Sequence, residues 1–185
     1  MKFRMIPLLL AAAMALGGCG KVKEQMTDYD SLVKESLGRA YSFTAEFAYD
    51  GNTAAAQVTK TGEADVRLDF TAPETLDGLS VSAGGEEILV EYRGMEVDLS
   101  AYDLPTQSIL TLLREVLTGE KEGKLTTEVG EDTVTASGTI ILTTYQIVFD
   151  KETMEIRKIL IPSVDGEVAV TDFTYLEEEE ESASY

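Results

Sequence analysis

The side chains that could do chemistry in this chain are few in kind: one cysteine, no histidine and 34 carboxylates among 185 residues. The chain therefore lacks the usual zinc ligands, the partners of His-dependent nucleophiles and any glycine-rich phosphate loop. A glycosidase that uses two carboxylates stays formally open, but among 34 acidic residues some pair will always lie close, and there is no tryptophan to stack on a sugar. We expect no catalytic residue, no metal and no cofactor, and we expect that the protein is not an enzyme.

Cys19, the only cysteine, ends an N-terminal segment of the kind that directs export. Lys2 and Arg4 precede an apolar run over 6–16, and its length of about 11 residues is short of the roughly 20 that span a bilayer, so the segment predicts a signal peptide. The end of this segment, Leu-Gly-Gly-Cys at 16–19, resembles a bacterial lipobox, which implies acylation of the cysteine thiol and cleavage just before it. The alternative is a cleaved signal followed by a free thiol, but such a lone exported thiol would be open to oxidation.

These features divide the chain. We expect a lipoprotein signal peptide at 1–18, the lipidated cysteine and a tether at 19–26, one folded domain at 27–176 and an acidic disordered tail at 177–185. Two or more acyl chains, such as palmitate, would hold Cys19 firmly on the extracytoplasmic face of the cell membrane.

The charge of the chain restricts its partners. The formal net charge is −19, and it becomes −21 once residues 1–18 are removed, because they hold Lys2 and Arg4 and no acidic residue. So negative a surface repels phosphates, which argues against nucleic acid as a partner and against a basic membrane dock. The predicted membrane contact is the lipid on Cys19 alone.

Two segments have the apolar spacing of amphipathic helices. In the first, Thr27 or Asp28 is a candidate N-cap and Gly38 lies near the end; in the second, Pro105 and Gly119 mark the two ends. The apolar stripe of the first is Tyr29, Leu32, Val33, Ser36, Leu37 and Ala40, and that of the second is Ile109, Leu110, Leu112, Leu113, Val116 and Leu117.

Alternation of apolar and polar residues predicts strands over most of the remaining chain. A hairpin turn is expected at 50–52 (Asp-Gly-Asn), and Gly138 is expected in another turn. The fold class predicted is α+β: an open, curved antiparallel β half-barrel whose concave face is covered by one N-terminal and one mid-chain amphipathic helix. All-β closure with the helices elsewhere is the competing arrangement. The predicted strands are 41–49, 53–59, 63–73, 79–83, 87–92, 95–99, 124–129, 133–136, 139–149, 156–161 and 167–175.

Short motifs stand out in the first half of the domain: Val66-Arg67-Leu68-Asp69-Phe70, Pro73, Leu76, Gly78, Gly84-Gly85, Ile88 to Val90 and Gly94. They resemble the sheet core of the LolA/LolB-like lipoprotein-carrier superfamily. The order of elements is also similar, and the resemblance covers Asp28 to Leu176. It implies an open half-barrel with helices as a lid, and in several members acyl chains lie between sheet and lid. Because of Cys19 the chain is more similar to the lipid-anchored members, and no position matches the functional arginine of the carrier, so lipoprotein transport is not implied.

Two functional hypotheses follow. The first is a non-catalytic lipoprotein that binds a hydrophobic ligand, an acyl chain or lipid, between sheet and helices. The second is an anchored scaffold that binds or activates another cell-envelope protein through an exposed sheet edge or an acidic face. An enclosed tunnel favours the first hypothesis, and a filled interior with an exposed apolar patch favours the second.

The first hypothesis names a set of ligand-binding residues, which would form the concave face of the sheet and the facing side of the second helix. The alternative for the same residues is a dry core, since apolar stripes are usually core. The set is Phe43, Phe47, Val66, Leu68, Phe70, Ile88, Val90, Ile109, Leu113, Val116 and Leu117.

Overall fold

The computed structural model describes residues 27–49, 51–62, 65–84, 87–99, 109–118, 125–140 and 143–177. The predicted signal peptide, Cys19, the tether, Pro105, Gly119 and the tail from 178 onward lie outside the described residues. Within the described ranges, no helix is long and apolar enough to cross a membrane.

In the described part of the chain, eleven antiparallel strands form one open sheet that fits a curved half-barrel. The order across the sheet is β6-β5-β4-β3-β2-β1-β11-β10-β9-β8-β7, so neighbours in the sheet are neighbours in sequence except at β1 and β11. The predicted antiparallel sheet is thereby confirmed. The strands are β1 (Tyr41–Tyr49), β2 (Asn52–Thr61), β3 (Asp65–Ala72), β4 (Leu79–Gly84), β5 (Glu87–Tyr92), β6 (Met95–Asp98), β7 (Thr126–Val129), β8 (Thr133–Ile140), β9 (Thr143–Asp150), β10 (Ile156–Ile161) and β11 (Gly166–Tyr175), with a short 3₁₀ helix at Pro162–Val164.

The alternation along the strands gives the sheet one apolar face, which we call the inner face; the opposite side is the outer face. Cross-strand partners share a face, so the register places the alternating apolar sets of neighbouring strands side by side. These side chains form one hydrophobic cluster with residues of both helices. The inner-face residues with no exposed surface include Phe43, Val58, Val134, Ile147, Phe149, Ile159 and Val168.

The first helix, α1 (Tyr29–Gly38), begins where the sequence predicts. Asp28 is its N-cap: the carboxylate accepts a hydrogen bond from the backbone N–H of Ser31 at 3.2 Å. Hydrogen bonds from the side chain and backbone of Ser31 lower the pKa of Asp28. Val33, Ser36 and Leu37 turn inward and are buried.

The second helix, α2 (Ile109–Thr118), lies in the segment that joins the two edge strands, β6 and β7. It contacts α1, β3 and β8. Strands β3 and β8 lie on opposite sides of the central β1–β11 pair, so the helix touches both halves of the sheet. Its side chains Leu113, Val116 and Leu117 are at most 1 % exposed.

Gly138 departs from its predicted place in a turn, because it lies inside β8. Its cross-strand partner is Tyr145 on β9, and a Cβ at position 138 would come within 2.5 Å of Cζ and the hydroxyl oxygen of that tyrosine. A glycine is therefore needed at position 138, because a side chain there would occupy the space that the buried ring of Tyr145 fills. The prediction of a turn was wrong because a glycine that makes room in a strand and a glycine that allows a turn look alike in sequence.

We predict that Gly138→Ala lowers the free energy of unfolding by about 1–3 kcal/mol, because the added methyl group overpacks the site beneath Tyr145. The matched control is Gly38→Ala: nothing lies within 4 Å of a Cβ there, so this variant should gain about 0.4–1 kcal/mol. Urea unfolding followed by circular dichroism measures both. Equal effects of the two substitutions would contradict the assignment of Gly138 to a crowded strand position.

Candidate functional site

Most residues predicted to bind a hydrophobic ligand lie in the packed centre of the molecule. Eight of the eleven are at most 8 % exposed and belong to the single hydrophobic cluster. The rings of Phe47 and Phe70 lie 6.2 Å apart. These eight side chains pack against one another, and they are Phe43, Phe47, Val66, Leu68, Phe70, Leu113, Val116 and Leu117.

Two others of the set, Ile88 and Val90, are half-buried on β5, and the side chain of Ile109 lies outside the described part of the structure. Val90 is paired in register with Val81 on β4 and with Val97 on β6. We call these three strands the β4–β6 wing. In the wing, the inner face extends from the packed centre to one edge of the sheet.

Burial decreases steadily across this wing. Val81 is 8 % exposed, Val90 is half-buried, and Val97 is 51 % exposed. Met95, also on β6, is 65 % exposed and is paired with Tyr92. The apolar inner face therefore continues into solvent at this end of the sheet, where an apolar ligand or partner would remove it from water.

Tyr41 connects α2 to the middle of the sheet. Its hydroxyl donates to the carbonyl oxygen of Leu117 at 3.5 Å, and its ring lies 5.3 Å from the ring of Phe173 and 6.0 Å from that of Phe43. The side chain is fully buried, and this burial raises the pKa of Tyr41 strongly. This hydrogen bond thus joins the C-terminal half of α2 to a tyrosine whose ring packs in an aromatic cluster of the sheet.

A second polar group links α1 to the turn between β9 and β10. The hydroxyls of Ser36 and Tyr175 both donate to the carbonyl oxygen of Met154, at 2.9 and 2.7 Å. The guanidinium of Arg39 lies 3.7 Å from the centre of the Tyr175 ring, a cation–π contact. Burial raises the pKa of Tyr175. The helix is therefore held by specific polar contacts as well as by apolar packing.

Lys60 is a site residue that sequence reasoning missed. It occupies an inner-face position on β2 with no exposed surface. Its ammonium donates to the carbonyl oxygens of Arg39 at 3.1 Å and Gly62 at 2.5 Å, and it lies 5.5 Å from the centre of the Tyr41 ring. A cation just beyond the C-terminus of α1 also complements the helix dipole. The available signal was its position in the alternation Ala54, Ala56, Val58, Lys60.

The outer face differs in character. Two open cavities there, of about 510 and 380 Å³, are lined mainly by small or polar residues. Exposed ion pairs join Arg67 to Asp69 at 2.9 Å and Lys158 to Glu167 at 2.8 Å. Among the residues the structure describes, no group of three or more His, Cys, Asp or Glu could hold a metal ion.

Comparison with known proteins identifies the fold. No protein-family model and no curated protein matches the chain by sequence. Its structure is similar to that of an uncharacterized conserved protein from Thermus thermophilus, with a TM-score of 0.52 and 12 % identity over 81 % of this chain and 86 % of that one. The two chains share one fold.

Two further solved structures are similar at TM-scores below 0.5. A LolA superfamily protein from Nitrosomonas europaea has a TM-score of 0.45 and 12 % identity over 80 % of this chain and 94 % of that one. The lipoprotein LppX of Mycobacterium tuberculosis has a TM-score of 0.40 and 14 % identity over 81 % of this chain and 93 % of that one.

The buried tyrosines predict a loss of stability in alkali. Burial raises the pKa values of Tyr41, Tyr145 and Tyr175, so above pH ~10 the unfolded chain releases protons that the folded chain keeps. The stabilisation is complete below that pH and is lost as the pH rises. Tyr41→Phe should remove up to ~1.4 kcal/mol per pH unit from this slope, because one titrating group is gone.

At neutral pH the same variant should cost about 0.5–1.5 kcal/mol, because the hydrogen bond to Leu117 is lost. Urea unfolding at pH 7 and at steps between pH 9.5 and 11.5 measures both effects. The control is Tyr49→Phe: Tyr49 is 38 % exposed, so this variant should keep the wild-type stability at pH 7. An unchanged alkaline slope in Tyr41→Phe would contradict the assignment.

Proposed function

We propose that this protein is a lipid-anchored, extracytoplasmic binding protein without catalytic activity, and that it holds a hydrophobic ligand, an acyl chain or lipid, on the inner face of its sheet. The observation that carries the proposal is the apolar inner face of the β4–β6 wing, which continues the core but leaves Val97 51 % and Met95 65 % exposed.

The helices are proposed to cover the concave face. In support, α2 contacts β3 in one half of the sheet and β8 in the other, and its residues Leu113, Val116 and Leu117 are buried. The centre is filled by these side chains, which counts against a ligand tunnel there and, by the criterion given above, favours a protein partner. The space proposed for the ligand is therefore the open wing beside α2.

The energetics favour a long aliphatic ligand. Each methylene group that leaves water for an apolar surface contributes about 0.8 kcal/mol, so a chain lying along several strands gains affinity in proportion to its length. The inner face of the wing is mostly aliphatic, with Leu79, Val81, Ile88 and Val90, and the hydroxyl of Tyr92, across from Leu79, adds a polar group.

We predict that Val90→Gln weakens binding of a fluorescent fatty acid about ten-fold, because an amide buried without a partner costs about 1–3 kcal/mol. The matched control is Leu89→Gln on the same strand: Leu89 is also half-buried but lies on the outer face, so binding should stay at the wild-type level. Fluorescence titration gives the affinities, and urea unfolding checks that both variants fold.

Native mass spectrometry of the detergent-free protein provides a second measurement, in which co-purified lipid should appear as added mass. A protein that carries no lipid and binds no fluorescent fatty acid would overturn the proposed ligand. Equal weakening by Val90→Gln and Leu89→Gln would place the ligand elsewhere than on the wing.

The anchor is proposed to be an acylated Cys19 on the extracytoplasmic side of the cell membrane. We predict that Cys19→Ser moves the protein from the membrane fraction to the soluble extracytoplasmic fraction, because serine lacks the thiol that accepts the lipid. Gly20→Ser is the neighbouring control and should stay membrane-bound. Fractionation with immunodetection, together with the mass of the N-terminal peptide, measures this; an unmodified, membrane-free wild-type protein would refute the anchor.

The exposed apolar residues of β6 favour a second candidate function, an anchored scaffold that binds another cell-envelope protein. Met95 and Val97 form an apolar patch beside a filled interior, which is the arrangement expected of a docking surface.

A further inference from the structure

Strand β6 is one of the two edges of the sheet, and the two edges differ. Strand β7, at the far edge, contacts helix α1. All four residues of β6 are exposed, and among the described strands its ladder partner is β5. An edge strand with this exposure is a template on which another extended segment can pair.

The register shows which backbone groups of β6 point outward. The N–H of Leu99 donates to the carbonyl oxygen of Ile88 at 2.8 Å, so these two residues form a hydrogen-bonded pair. Hydrogen-bonded and non-hydrogen-bonded pairs alternate along an antiparallel ladder. The pair Val90 and Val97 is therefore of the first kind, and Glu91 and Glu96 are of the second. The N–H and C=O of Glu96 point away from β5, toward an added strand.

The side chains of β6 are sorted by face. Met95 and Val97 lie on the inner face and extend its apolar surface to the edge. Glu96 lies on the outer face, directly across from Glu91, and like charges in this position repel. Arg67 lies 3.9 Å from Glu91, but it also pairs with Asp69 at 2.9 Å. A cation on an added strand would relieve the repulsion at Glu96.

We propose that β6 is a docking edge for an extended segment of a partner protein in which apolar residues alternate with Lys or Arg. Such a segment would pair its backbone with Glu96, cover Met95 and Val97 with its apolar side chains, and present its cations to the acidic outer side. A second copy of this chain is a poor occupant, because two-fold antiparallel pairing of β6 would set Glu96 and Asp98 against the same acidic residues of the copy. The proposal rests on the second candidate function, the anchored scaffold, and not on the hydrophobic ligand.

The test uses the full mature chain in nanodiscs of phosphatidylcholine and a fluorescein-labelled peptide of alternating Lys or Arg and Val, Lys-Val-Arg-Val-Lys-Val-Lys. A block peptide of the same composition, Val-Val-Val-Lys-Lys-Arg-Lys, cannot place its apolar and basic residues on opposite faces. Fluorescence anisotropy should give an affinity for the alternating peptide about ten-fold higher than for the block peptide. Empty nanodiscs measure the background.

Three variants separate the contributions. Glu96→Pro removes the outward N–H but leaves the hydrogen bonds to β5 in place, and it should lower the affinity for the alternating peptide about ten-fold. Glu96→Ala keeps the N–H but removes the charge, and it should lower the affinity for the alternating peptide about three-fold. This effect should be smaller in high salt, which screens the charge. Glu128→Ala makes the same charge change on the outer face of β7 and should leave the affinity unchanged. Thermal unfolding and fatty-acid binding check that Glu96→Pro is folded.

Several results would overturn the proposal. Equal binding of the block peptide, or equal effects of Glu96→Ala and Glu128→Ala, would show only general attraction of cations to an acidic protein. Wild-type affinity in Glu96→Pro would exclude pairing at the edge. A dimer in sedimentation that dissociates in Glu96→Pro would identify a second copy as the occupant. By contrast, if Glu96→Pro loses peptide binding but retains fatty-acid binding, the docking edge is supported independently of the ligand.

Discussion

The structure depends on the pairing of β1 with β11. All other neighbours in the sheet follow one another in the chain, whereas this ladder joins residues 41–48 to 167–175. Closing so long a loop costs entropy, and the apolar side chains along the ladder offset it. Phe43 and Phe173 stack at 6.1 Å, and Ala45 and Phe47 are buried beside β11. The pairing turns two separate meanders into one sheet with a continuous inner face.

Because the inner face is continuous, α2 can pack against both halves of the sheet. The helix lies in the segment between β6 and β7, the two edges of the sheet, and it contacts strands in both halves. Tyr41, at the start of β1, bonds to the carbonyl of Leu117. Strand β1, which joins the two halves, therefore also contacts the helix. Side chains of β1, β11 and α2 fill the centre of the inner face.

The filled centre and the open wing have different uses. The centre provides stability, and its residues are packed too closely to be exposed by small movements. The β4–β6 wing keeps the same aliphatic character without the same cover, so its apolar surface is available for binding.

Much of the fold could be predicted from local patterns, since period-two alternation and cap residues depend on neighbours in the chain. The limits of β1, β5 and α1, with its Asp28 cap, follow from such patterns. The place of Gly138 and the burial of Lys60 could not be predicted, because each depends on a residue distant in sequence or on a backbone carbonyl presented by another element. The alternation alone also predicts the same inward-facing position for Phe43 and Val90, although Phe43 is fully buried and Val90 is only half-buried.

By itself the sequence determined the acidic charge, the absence of histidine, the lone Cys19 behind an apolar run and the alternation that makes the strands. These properties belong to single residues or to short runs, so no partner is needed to define them. Only the tertiary structure decided which apolar residues are core, which edge meets a helix, and where the inner face stays exposed. The physical reason is that burial is a property of what covers a residue, and the covering elements come from the opposite end of the chain or from a helix between the edges.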